Sequence, residues 1–95
     1  MVVGSKWREA EPELRKDWES RYGHTGLEWM EIREAYHFGW IAGQRAEFRR
    51  RRWEDVERDL EWHWYRPQLA DELASWDYVK EAVREGFEKG KKVKN

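Results

Sequence analysis

Four groups of side chains in this 95-residue chain have types and spacings that could do chemistry. The first is a pair of carboxylates, Glu11 and Glu57, each set within an apolar helical stripe. Two such groups could divide acid and base roles if their surroundings drove their pKa values apart. As structural groups they would instead accept hydrogen bonds from Trp indoles or Arg side chains. The structural role is preferred, because no nucleophile, phosphate loop or metal cluster accompanies them. The second group is Glu34 and His37, the E-x-x-H step of di-metal helical bundles, which need that step on two helices and two further carboxylates. Its counterpart 47 residues on is Glu81 with Arg84, so half of the ligand set is missing. His24 lies in a Gly-rich loop and His63 sits beside Trp62 and Trp64, so both read as surface or packed histidines. No metal site and no cofactor are expected.

The third group is the run Arg49, Arg50, Arg51 and Arg52, with Arg45 nearby, which could grip phosphates while Trp53 or Phe48 stacks on a base. Set against this is a solvated connection whose arginines pair with Glu47, Glu54 and Asp55. A formal net charge of −1, from 19 basic and 20 acidic residues, gives the chain no general attraction to nucleic acid. The Lys89 to Lys94 stretch could add a second basic contact. The fourth group is aromatic. Trp62, His63 and Tyr65 occupy positions where the first half has Lys16, Asp17 and Glu19, and Trp62 falls roughly opposite the Trp53/Trp64 stripe at 100° per residue.

These groups have to be positioned by helices. Trp7, Ala10, Leu14 and Trp18 step along one helical face, and Trp53, Val56, Leu60 and Trp64 repeat the pattern. Leu, Ile, Val and Phe together number only 16, but eight Trp and four Tyr supply the missing apolar area. Trp7, Glu11, Leu14 and Trp18 recur as Trp53, Glu57, Leu60 and Trp64 at an offset of 46. Trp29, Glu34, Ala35, Gly39 and Gly43 recur as Trp76, Glu81, Ala82, Gly86 and Gly90 at an offset of 47. Nine identities at two adjacent offsets indicate an internal repeat.

Each unit reads as a helical hairpin. Ser5 is an expected N-cap, the first helix begins or kinks at Pro12, and Thr25 and Ser75 are expected to cap the second helices. The second helices carry ridges of small residues, Ala35, Gly39 and Gly43 and then Ala82, Gly86 and Gly90. Interior glycine costs a helix about 1 kcal/mol relative to alanine, so close approach of a neighbouring backbone or a Trp ring is expected there. The last helix is cleanly amphipathic and is expected at the periphery. The second helix carries Met30, Phe38, Ile41 and Ala42 beyond its main stripe, so it is expected at the centre, covered on both sides. Its extra face is expected to pack on the one that carries Trp62.

The runs Arg52 to Glu57 followed by Trp64, Trp76 to Glu88, and Tyr36 to Trp40 resemble segments of a group of small, Trp-rich bacterial helical-repeat proteins. That pattern runs W-x-x-V-E-P-x-x-R-x-x-W, then W-x-x-V-K-x-A-x-x-x-G-W, with Y-x-Y-G between copies. The resemblance covers most of residues 6–90 and implies a stress-associated protein without a known catalytic activity. The chain departs from the pattern where Pro12 is replaced by Arg58 in the second copy, and where residues 67–73 lack the short Gly-containing turn.

The expected fold is therefore all-α, a four-helix arrangement of two tandem hairpins in a single domain over 1–95. Its parts are unit one at 6–43, a connection at 44–51, unit two at 52–90 and a basic tail at 91–95. The absence of cysteine and of an apolar leader points to the cytoplasm, with no membrane span. The expected function is that of a non-enzymatic interaction module working by protein–protein contact or self-association around Trp62, His63 and Tyr65. The alternative is weak nucleic-acid binding by Arg49 to Arg52.

Overall fold

The computed structural model describes residues 7–65 and 76–93, and all the regular structure in them is helical. The helices are α1 (Trp7–Arg21), α2 (Trp29–Gln44), the single-turn α3 (Ala46–Arg49), α4 (Trp53–Tyr65) and α5 (Trp76–Lys91), with a 3-10 turn at Gly23–Thr25 after α1. The all-α expectation is met, with the short α3 added inside the connection between the expected units. No helix of the described residues is long and apolar enough to cross a membrane. The positions at which Ser5 and Ser75 were expected to cap lie outside the described residues.

Local chemistry accounts for the ends of the elements. Glu54 and Asp55 open α4 and Asp77 opens α5, whereas Lys89 and Lys91 close α5, matching charge to the partial charges of the helix ends. Gly26 takes a left-handed φ of 84° after the 3-10 turn, where a side chain would be strained. Thr25 does not cap α2. Its hydroxyl donates to the Tyr22 carbonyl at 2.6 Å and accepts from the Leu27 N–H at 3.2 Å, two residues before the helix begins. Nor does α1 start at Pro12; it is helical from Trp7, with the proline inside.

The core is a seam between α2 and α5, which make by far the most extensive interhelical contact. Gly39 faces the Val83 carbonyl oxygen, Gly43 that of Phe87, Gly86 that of Tyr36 and Gly90 that of Trp40. A Cβ placed on these glycines would sit 2.0, 2.3, 2.2 and 2.2 Å from those oxygens, so the two backbones touch and nothing larger than glycine fits. Each contact converts into another of the set when both residues are exchanged for those 47 positions away: Gly39 against Val83 becomes Gly86 against Tyr36. The glycine ridges thus meet each other rather than the Trp rings.

Two expectations about layering are corrected. Helix α5 is half of the central pair and not peripheral, because Gly86 and Gly90 let its apolar face, with Val79, Ala82, Val83 and Phe87 all buried, lie directly on α2. Nor is α2 covered all round, since Met30 is 73% exposed and Ile41 is also exposed. Helices α1 and α4 flank the seam. Helix α1 packs Trp7 on Trp40 and Trp18 on Trp29, and α4 packs Trp53 on Trp76 and Phe87. Among the described residues the expected contact between the extra faces of α2 and α4 is represented by Phe38, which meets Trp64 edge-on at 5.4 Å; Trp64 is buried and Trp62 exposed.

Candidate functional site

Both carboxylates of the first group are engaged by indoles. Glu11 Oε2 accepts from Trp29 Nε1 at 3.1 Å and from Arg33 Nε at 2.9 Å, fixing α1 to α2. The Arg33 hydrogen bond holds the Glu11 carboxyl below the ordinary glutamate range, outweighing partial burial and assisted by Trp29. Glu57 Oε2 accepts from Trp76 Nε1 at 3.4 Å, the corresponding contact between α4 and α5. Glu11 also borders a shallow surface hollow, but every residue lining it, from Arg8 to Glu19, belongs to α1. Among the described residues no second wall faces that helix, and the groups that do reach the carboxylate are Trp29 and Arg33 of α2.

The E-x-x-H step does not assemble a ligand set. Glu34 is exposed, whereas His37 is half-buried between two indoles, with ring centroids 4.5 Å from Trp7 and 6.1 Å from Trp40. Burial pushes the His37 pKa down. Among the described residues no group of three or more His, Asp or Glu is placed to hold a metal ion. His24 is exposed on the 3-10 turn.

The arginine run divides into three roles. Arg51 Nη2 donates to the Asp55 carbonyl at 2.6 Å and Nη1 lies 3.6 Å from the Asp59 carboxylate. Arg52 Nε lies 3.8 Å from Asp55, and Arg45 lies 3.6 Å from Glu47. Arg49 is half-buried: its Nη2 donates to the Val93 carbonyl, and its Nη1 is buried without a hydrogen-bond partner. Arg50 is exposed and meets no carboxylate among the described residues. Neither stacking candidate is available, because Phe48 is 5% exposed and Trp53 is 6% exposed. Both have been drawn into the core, Trp53 stacked on Trp76 at an interplanar angle of 14°. What spacing along the chain does not reveal is that the end of α5 reaches this run: Lys91 Nζ donates to the Arg51 carbonyl at 2.9 Å.

Of the aromatic group, Trp62 is 58% exposed on α4, with its ring edge-on to that of the exposed His63 at 5.0 Å. His63 in turn meets the buried Phe48 at 6.5 Å. The Tyr65 side chain lies outside the described residues.

A further polar cluster went unnoticed in the sequence. The Tyr36 hydroxyl, fully buried on α2, donates to Asp17 Oδ2 at 2.6 Å, and Arg21 grips both oxygens of Asp17 from Nε at 3.1 Å and Nη2 at 3.2 Å. Arg21 Nη2 reaches on to Glu85 at 3.2 Å, so the cluster joins α1 to both central helices. Burial, and then the Asp17 carboxylate, push the Tyr36 phenol well above its ordinary range. The i,i+4 spacing of Asp17 and Arg21 was the available signal. Nothing in sequence pointed to Tyr36.

No protein-family model, curated protein or solved structure matches this chain. The functional reading therefore rests on its own side chains.

Proposed function

We propose that the chain is a non-enzymatic accessory module of the Trp-rich bacterial helical-repeat kind, stress-associated and cytoplasmic, acting by protein–protein contact or self-association through α4. The observation that carries this reading is Trp62, a large aromatic 58% exposed beside exposed His63 on a helix whose other indoles are buried. An indole surface of this sort is the usual anchor of an interface, combining large apolar area with few rotatable bonds. The engagement of Glu11 and Glu57 by indoles supports the non-enzymatic part. Matched contacts at positions 46 and 47 residues apart, including the four glycines, support two related units at 6–43 and 52–90.

Sedimentation velocity across a concentration series, on the wild type and Trp62→Ala, tests this. Association by the wild type that the variant loses, with helicity unchanged, supports the reading. Unfolding of the variant would place Trp62 in the core and remove the proposed surface.

A second reading, weak nucleic-acid binding by the Arg49 to Arg52 run, is favoured by one observation: lysine from the end of α5 joins that run at Arg51. Fluorescence anisotropy of labelled nucleic acids at rising salt tests it, because phosphate contacts weaken steeply with salt and an aromatic interface does not.

A further inference from the structure

Resting on that second reading, we infer that the phosphate-contacting cations are Arg50 and Lys91, from two segments 41 positions apart, and that their ligand is the backbone of duplex nucleic acid. The assignment comes from tracing what each cation already meets. Arg51 is held by Asp59 and the Asp55 carbonyl, and Arg52 by Asp55, so these two serve to staple the start of α4. Arg49 spends Nη2 on the Val93 carbonyl and buries Nη1, which makes it a positioning residue that fixes the end of the chain segment carrying Lys91. Arg50 projects into solvent with no carboxylate within ion-pair distance among the described residues. Lys91 also has no carboxylate partner there. It lies 5.0 Å from the Phe87 ring centroid and gives one of its three N–H donors to the Arg51 carbonyl. That bond sets it at Arg51, the residue that follows Arg50 in the chain. Lys92 is not included, because it lines surface clefts together with Glu9 and Glu13 of α1, and among the described residues no hydrogen bond or ion pair joins it to the arginine run.

The local balance gives this end of the molecule its sign. Arg45, Arg49, Arg50, Arg51, Arg52 and Lys91 set six positive charges against the four of Glu47, Glu54, Asp55 and Asp59, a surplus of two in a chain whose formal total is −1. The remainder of the chain thus sums to −3, an asymmetry that favours the approach of a polyanion to this end.

The class of ligand follows from what surrounds the cations. Single strands are held by stacking bases on exposed aromatics; Phe48 and Trp53, the aromatics within the arginine segment, are buried, and the exposed Trp62 and His63, which reach Phe48 through the His63 ring at 6.5 Å, are what the single-strand arm of the test addresses. A membrane surface would require apolar side chains to insert beside the cations, and Phe48, Phe87 and Val93 are buried as well. A duplex needs neither, since its phosphates are presented on the outside and can be read by charge alone.

The test is anisotropy of a labelled 30-base-pair duplex titrated with the full chain at several salt concentrations, against Arg50→Gln, Lys91→Gln, their double variant and Arg51→Gln/Arg52→Gln. Two phosphate contacts give a log–log salt slope of roughly −2, and each single variant should reduce it by about one. The double variant should abolish binding with helicity unchanged. Duplex binding that survives the double variant but is lost in Arg51→Gln/Arg52→Gln would overturn the assignment and leave the nucleic-acid reading standing. No binding by the wild type at low salt would sink both. Tighter binding to a single strand of equal length, or to phosphatidylserine vesicles, would overturn the duplex as ligand.

Discussion

Replacing Gly39 with alanine puts a methyl group where the structure has a carbonyl oxygen. The new Cβ would sit 2.0 Å from Val83 O and 2.9 Å from Phe87 N, both backbone atoms of α5, whereas ordinary contact begins near 3.4 Å. No side-chain rotation relieves that clash, so α2 and α5 must separate by on the order of 1 Å, which places the cost at about 2–3 kcal/mol, the upper part of the usual overpacking range. Alanine returns about 1 kcal/mol of helix propensity, leaving a net loss of roughly 1–2 kcal/mol. For a domain of this size that is a fall in Tm of roughly 4–16 °C. The same logic applies to Gly86, whose Cβ would meet Tyr36 O at 2.2 Å. Because the two substitutions push apart one pair of helices, the second should cost less once the first is present, and their coupling should be sub-additive by about 0.5 kcal/mol or more. Gly23→Ala, which would meet nothing within 4 Å, is the control and should stay near wild type. Urea denaturation followed by Trp fluorescence and circular dichroism measures all four variants. A Gly39→Ala protein as stable as the wild type, or strict additivity with Gly86→Ala, would refute the backbone seam.

Further outcomes follow from the polar and aromatic contacts. Because its hydrogen bonds lower the folded-state pKa of Glu11, the folded protein binds fewer protons than the unfolded chain just below the ordinary value of 4.5. The Glu11 contribution is therefore complete above that pH and is lost as pH falls through the lower folded value, so Glu11→Gln should flatten this part of an acid titration of stability. His37 is also depressed, from an ordinary 6.5, by burial. Stability should fall as pH drops below 6.5 towards the folded value and then level off, and in His37→Phe this segment should vanish; an unchanged profile would refute the burial of the ring. Trp64→Ala, which empties a buried site, should cost about 3–5 kcal/mol. Trp62→Ala, at an exposed one, should cost about 1 kcal/mol or less by chemical denaturation, and equal losses would contradict their opposite orientations.

The helices were legible because tryptophan marks both their faces and their recurrence. The spacing of Trp7, Ala10, Leu14 and Trp18 defines a stripe without reference to anything distant. The carboxylates at Glu11 and Glu57 could be foreseen for the same reason, as polar groups in a stripe rich in indole donors. Layering was harder to read. An amphipathic pattern shows that α5 has one buried face, but it does not say that the face belongs to the centre; that depends on backbone contact at Gly86 and Gly90, with a helix that begins 47 residues earlier. Apolar content similarly overstated the covering of α2, since Met30 and Ile41 share a stripe that no described helix covers. The arginine run was visible as charge. Its division into staple, anchor and exposed cation depends on Asp59, Val93 and Lys91, which only the fold brings to it.

The glycine seam has a kinetic consequence. Gly39 to Val83 spans 44 residues and Tyr36 to Gly86 spans 50, so the contact that organises the core also closes a long loop. Small helical proteins usually fold within microseconds to milliseconds because their contacts are local. Here the local pairs, α1 with α2 and α4 with α5, leave two bare glycine ridges exposed until they find one another. Loop closure must come before the seam can reward it, which places this chain among the slower all-helical folders. It also couples the two halves, since neither can complete its own core alone.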